Sequence, residues 1–313
     1  VEAGWRADPD AQAGEELPGG GQVDESRPLV TELQEPRVTT LENGLTVIHT
    51  ASPSTRMFAM HLLVKGRSAR EPEDMTGIAD LLHRTLPEGA GNYDREELAA
   101  LLDGIGAEWK VTDAGFIPYD DYYAIDPRFS FVRLDCADLY WREAIRLLGL
   151  MIGEPRLEPE AIDRKREEML RRVAEEQGKP SSVGRRALRA ALLGEDHPLA
   201  HPVFGTQETL ENVDQRALQR FALDYLDPGQ LVLSIVGNLD HDAVIEHLER
   251  ALRIGGAAEG IGEVVPPAPI TAEDVRIERE VGGRQVALRL GRVIEIDPAD
   301  RWALEVAVGI ASR

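Results

Sequence analysis

Cysteine is almost absent from the 313-residue chain. Cys136 stands alone, so neither an intrachain disulfide nor a cysteine-based zinc site can form. That scarcity leaves the compartment open, because proteins outside the cytoplasm can also do without disulfides. Long hydrophobic runs are missing as well: the apolar stretches at 147–152 and 231–236 fall far short of the roughly 18 residues of a membrane-spanning helix. Basic charge is in deficit. Thirty-five Lys and Arg against 56 Asp and Glu leave a net charge of −21, which argues against nucleic acid and against an anionic membrane surface. It fits solubility first and a basic protein partner second. Neither a glycine-rich phosphate loop nor a Gly-x-Ser-x-Gly nucleophile elbow occurs. The chain starts at Val1 with no charged-then-apolar signal segment, so either a targeting peptide has been removed or the sequence starts inside a longer gene product.

What is present reads as globular, with 42% hydrophobic and 29% charged residues. Residues 1–35, rich in Gly, Pro, Ala and acids and without apolar periodicity, read as a flexible acidic tail. Residues 36–254 read as a first domain. It opens with a hairpin around Asn43-Gly44 and a third strand at 57–64. Helices are expected at 76–87 and 93–105, then strands at 109–112, 119–125 and 129–134. A run of helices follows at 138–152, 160–177 and 183–193, with two short ones in 207–226, a buried strand at 231–236 and a helix at 240–252. Residues 255–272, with Pro266, Pro267 and Pro269, read as a linker. At 273–313 the pattern restarts as the beginning of a second, truncated domain, with strands at 275–281 and 285–290 and a helix from Pro298 still running at Arg313. Strands joined by hairpins and followed by helices predict an α+β fold with a largely antiparallel sheet and helices on one face.

The stretch Thr76-Gly77-Ile78-Ala79-Asp80-Leu81-Leu82-His83-Arg84-Thr85-Leu86 carries the functional question. Thr76 is read as its N-cap, Ile78, Leu81, Leu82 and Leu86 as its apolar stripe, and Asp80, His83 and Arg84 as its polar side. Asp80 and His83 lie one turn apart and could share a metal ion with an acid of the charged helix at 160–177, but an exposed helix face of ordinary polar residues is the better reading. His197 and His201 are also four apart, yet Pro198 and Pro202 break any regular helix between them, which makes them loop residues. Tyr119-Asp120-Asp121-Tyr122-Tyr123 lacks the alternating acids and glycine of a calcium loop and reads as a charged edge strand. Cys136 reads as a small buried residue.

Several runs, in one order, resemble the pitrilysin/insulinase-type inverted-zincin family, which includes the mitochondrial processing peptidase. They are Leu41–Val47, Lys65-Gly66-Arg67-Ser68-Ala69-Arg70-Glu71, Thr76-Gly77-Ile78-Ala79, Glu97–Leu102 with Gly106-Ala107, and His197-Pro198-Leu199-Ala200-His201-Pro202-Val203-Phe204-Gly205-Thr206. The resemblance covers residues 37–313. It implies that family's fold and places a zinc site on the Thr76 helix: active members carry His-x-x-Glu-His there and a further glutamate about 80 residues later. At those positions this chain has Asp80 for the first histidine, His83 for the general base, Arg84 for the second histidine, and Arg171 or Arg172, with Arg172 preferred, for the distant glutamate. The expectation is a catalytically degenerate member with no catalytic, metal or cofactor-binding residue, its old cleft filled by an ion-pair network of Asp80, Arg84 and acids near Arg171. The implied role is a peptidase-like subunit that pairs with an active zinc peptidase or joins a multisubunit complex and helps bind peptide. A structural subunit of a membrane-attached respiratory or photosynthetic complex is the alternative, and an active peptidase with an unorthodox site a third. A bacterial setting, periplasmic or peripheral to a membrane complex, goes with these readings, a cytoplasmic one staying open.

Overall fold

Apolar and polar side chains alternate along residues 57–65, and Phe58, Met60, Leu62 and Val64 are all buried on one side. That strand is central to the fold. The computed structural model describes residues 34–111, 126–252, 277–279, 286–292 and 297, which belong to one compact unit, Leu33–Arg313. Its strands are β1 (Arg37–Thr40), β2 (Thr46–Ala51), β3 (Met57–Lys65), a short β4–β5 hairpin (Gly89–Ala90 and Tyr93–Asp94), β6 (Glu108–Lys110), β7 (Phe129–Ala137) and β8 (Leu231–Gly237). Apart from β4 and β5 they form one six-stranded sheet in the order β1-β2-β8-β3-β7-β6. Four pairings are antiparallel; β2 and β8 run parallel, Val47 opposite Leu233 and His49 opposite Ile235. The sheet is therefore mixed, and the α+β class with helices packed on it stands.

The helices are α1 (Arg67–Arg70), α2 (Ile78–Thr85), α3 (Arg95–Gly104), α4 (Trp141–Gly153), α5 (Pro159–Gln177), α6 (Pro180–Leu193), α7 (Gln207–Glu211), α8 (Gln215–Tyr225) and α9 (His241–Ala251). Their ends follow local chemistry. Asp94 and Glu97 make a reciprocal capping box for α3, Thr206 and Thr209 one for α7, and Asp214 and Asp240 cap α8 and α9. Helix α2 departs from expectation. Thr76 gives no side-chain cap; the helix starts after Gly77, at φ 90°, and the buried carboxylate of Glu71 accepts the backbone N–H of Ala79 at 3.1 Å instead. Thr76 is turned to Thr209, whose hydroxyl donates to the Thr76 carbonyl at 2.9 Å.

A close backbone approach explains that start. A Cβ on Gly77 would sit 2.8 Å from the Phe204 carbonyl carbon and oxygen, and one on Gly205 only 2.2 Å from the Thr76 carbonyl oxygen. Two sequence runs nearly 130 residues apart are thus clamped together at a pair of glycines. Ile78, Leu81 and Leu82 anchor α2 in the main core, and α5, α8 and β7 pack around it. Residues 286–292, expected in part as a strand, pair with no strand among the described residues; they pass over α6, where Gly184 leaves room for Arg289. The expected tail, linker, strand at 119–125 with Asp120 and Asp121, and helix from Pro298 lie outside the described residues.

Candidate functional site

The polar side of α2 is buried, not exposed. Asp80 is 5% and His83 2% exposed, which corrects the expectation of an ordinary solvated face. A buried carboxylate needs compensation, and Asp80 has it twice: Arg84 Nε donates to Oδ2 at 2.6 Å and Arg67 Nη2 to Oδ1 at 3.3 Å. Burial alone would raise the Asp80 pKa. The Arg84 charge, then Arg67, the Arg84 hydrogen bond and the Arg172 charge outweigh it and hold the carboxyl below its ordinary value.

Arg172 reaches this group from α5, its guanidinium 4.4 Å from the Phe204 ring centroid. Arg171 is exposed on another face of the helix. Of the expected acids near Arg171, Glu168 pairs with Lys165, while Glu176 pairs with Lys179 and also feels the Arg172 charge. Asp80 is the carboxylate in salt-bridge contact with Arg84, and the additional cation it holds is Arg67, which also reaches the Val203 carbonyl at 3.4 Å. The sequence reading did not single out Arg67. Its signal was the Lys65–Glu71 run, where an arginine four residues before a glutamate enters a helix start. Glu71 lies beside it, and burial, opposed by Arg67 and by the N–H groups of Ala79 and Gly77, pushes its pKa up to about 7.

His83 turns away from the arginines. Its Nε2 is 2.7 Å from Ser130 Oγ on β7, which is 2.6 Å from the Tyr225 hydroxyl on α8. All three side chains are buried. Burial first, and the Arg67 charge second, push the His83 pKa down to about 3, so the ring is neutral, and its Nδ1 is buried without a hydrogen-bond partner. A serine oxygen in contact with an imidazole has the outline of a nucleophile and base. Here Ser130 is shared with Tyr225 and closed off from solvent, and burial raises the Tyr225 pKa far above its usual range. The chain of hydroxyls ties α2, β7 and α8 together.

Of the four positions that resemblance assigns to a zinc site, the fold brings Asp80, Arg84 and Arg172 to one place and points His83 to another. His197 and His201 flank a single 3-10 turn at Pro198–Ala200, where His197 Nδ1 accepts the Leu199 N–H at 3.1 Å. Among the described residues no three His, Cys, Asp or Glu side chains are grouped so as to hold a metal. Cys136 is buried, and burial pushes its thiol pKa up to about 11.

The model of the insulinase family, peptidase family M16, matches residues 46–207, a span that contains α2 and α5. The chain belongs to this family. Uncharacterized zinc proteases are similar to it: one from Streptomyces coelicolor, 26% identical over 71% of this chain and 45% of its own length, and one from Mycobacterium bovis, 26% identical over 87% and 60%. The chain spans about half the length of the curated relatives it matches. Three solved structures share the fold. A peptidase M16 inactive domain from Pseudomonas fluorescens has a TM-score of 0.66 at 18% identity, covering 75% of this chain and 54% of its own. Pitrilysin follows at 0.63 and 20%, over 75% and 24%, and a chain of complex III from Candida albicans at 0.56 and 20%, over 74% and 49%. Within the M16 fold, the α2–α5 contact is where Asp80, Arg84 and Arg172 meet.

Proposed function

We propose that this chain is a non-catalytic M16 subunit, which pairs with an active zinc peptidase of its own family and helps to hold extended peptide. One observation carries the reading: the pairing of Asp80 with Arg84 and Arg67, with Arg172 alongside, at the place where a zinc ion and its base belong by resemblance. These residues do not fit zinc. Both Asp80 oxygens are already taken by guanidinium groups, and His83, whose Nε2 is engaged with Ser130, is not grouped with two further metal-ligating side chains among the described residues. Arginine does not deprotonate in proteins, and each fixed charge near 4 Å would repel a dication by several kcal/mol, on the order of 8 at an effective dielectric of about 20. His83 in the base position is buried, and a pKa pushed down to about 3 leaves it a weak proton acceptor.

The fold shared with a domain named inactive and with a chain of complex III supports a role in assembly for such a scaffold, the second of these being the ground for the alternative of a structural subunit. Metal analysis of the purified chain together with a peptide-cleavage assay tests the main reading. The expected result is well below one zinc per chain and no cleavage that a chelator abolishes. One tightly bound zinc with chelator-sensitive cleavage would overturn it.

A further inference from the structure

The chain as a whole is strongly acidic, so a groove lined by arginines stands against its average. Helices α5 and α6 and the loop at 200–205 line an open cleft. Its floor is apolar: Val173, Val183, Ala200, Pro202, Val203 and Phe204. Arg185, Arg186 and Arg189 stand around it on α6. A second cleft shares Val183, Arg186, Ala200, His201 and Pro202 with the first and continues to Arg279, so the two form one groove with Arg186 between them.

Among the described residues, the acids beside these arginines are shared between several cations. Glu176 is 2.8 Å from Lys179 and 3.8 Å from Arg185, and one carboxylate thus serves two cations. Asp126 faces Arg189, together with the like charges of Arg185 and Arg128. Glu195 lies at the far end, in the same cleft as Arg279. Arg186 makes no hydrogen bond or ion pair with any described residue. Beneath the floor, Arg172 is stacked on Phe204 with no carboxylate of the described residues in salt-bridge contact, and His201 presents a buried Nδ1 without a hydrogen-bond partner.

We propose that this groove binds an extended peptide by its Asp and Glu side chains, the guanidinium groups of Arg185 and Arg186 pairing with carboxylates while the apolar floor takes the side chains between them. The proposal rests on the peptide-holding role above and adds the chemical class of the peptide. Guanidinium matches a carboxylate with two parallel N–H donors, and such charge-assisted pairs are among the stronger hydrogen bonds. A groove, unlike a flat patch, follows an extended backbone, and the apolar strip between cations is wasted on a free inorganic anion. Nucleic acid and anionic lipid present charge over a wide surface, where the overall charge of −21 would repel them.

Fluorescence anisotropy on the full chain tests this with two labelled peptides, both acetylated and amidated. They share the same apolar residues and carry Glu in one and Lys in the other at the intervening positions. The Glu peptide should bind at least about tenfold more tightly, with affinity falling as salt rises. Arg186→Glu, at an exposed side chain without a hydrogen bond or ion pair among the described residues, should fold normally by urea titration, lose about tenfold or more for the Glu peptide, and gain for the Lys peptide. Equal binding of the two peptides, or an Arg186→Glu variant that binds the Glu peptide as before, overturns the groove assignment and leaves the peptide-holding role standing. If neither peptide binds, both fall.

Discussion

Asp80 is a single carboxylate paired with two guanidinium groups, the buried Arg67 and the partly buried Arg84, and that places it among the most sensitive residues in the fold. Asp80→Asn keeps the shape and removes the negative charge that Arg84 and Arg67 share. Breaking a buried pair from one side costs roughly 3–5 kcal/mol, and urea unfolding at neutral pH should show a loss of that order; a loss below about 1 kcal/mol would mean that water reaches the cluster. Glu71 supplies a test of opposite sign. Its folded pKa is raised to about 7, well above the ordinary carboxylate range, so the folded chain retains a proton that the unfolded chain releases in that window. Its contribution is fully present below the unfolded value and is lost as pH rises through the folded one. Glu71→Gln keeps an oxygen for the Ala79 N–H and cannot titrate. The stability of the wild type relative to that variant should therefore decline between about pH 5 and pH 7.5, and a flat difference would show that Glu71 is already ionised at the lower end.

At the scale of elements, α2 is positioned by partners far away in sequence, and this decided what could be read in advance. The apolar stripe of Ile78, Leu81 and Leu82 was legible because helical periodicity is local. The capping boxes at Asp94 and Thr206 rest on equally local chemistry. The start of α2 was not legible, because the glycine clamp joins Gly77 to Gly205, and neither sequence run reveals the other. Burial of Asp80 and His83 was missed for the same reason: polarity on one side of a helix looks like solvent exposure until α5, α8 and β7 are packed around it. The parallel β2–β8 pairing likewise joins strands nearly two hundred residues apart. The clamp makes its own prediction. Gly205→Ala would put a Cβ at 2.2 Å from the Thr76 carbonyl oxygen and hold alanine at φ 72°. Strain and clash together should cost at least about 2 kcal/mol in urea unfolding, whereas Gly104→Ala, inside α3 with open space around its Cβ, should be neutral or stabilising by up to roughly 1 kcal/mol.

At the scale of the whole molecule, the M16 scaffold and the chemistry in it are separable. Helices α2 and α5 are in contact, and Asp80 and Arg84 lie one turn apart on α2 with Arg172 alongside. If these are the ligand positions, the backbone is arranged for a zinc site and the side chains are what exclude it. Arg84→His alone should then bind no zinc, since one imidazole beside Arg67 and Arg172 is neither a ligand set nor an electrostatic home for a dication. The four changes Asp80→His, His83→Glu, Arg84→His and Arg172→Glu together should bind close to one zinc per chain, read by metal analysis after dialysis with circular dichroism confirming the fold. Zinc in the single variant would place the site elsewhere. A folded quadruple variant without zinc would mean that α2 and α5 are set too far apart, and the degeneracy would then lie in the backbone as well. The same material tests partnership. On the proposed non-catalytic role, sedimentation of the unaltered chain with a family member that retains His-x-x-Glu-His should give a heteromer. Migration of the two as separate species would turn the reading toward a structural subunit of a larger assembly.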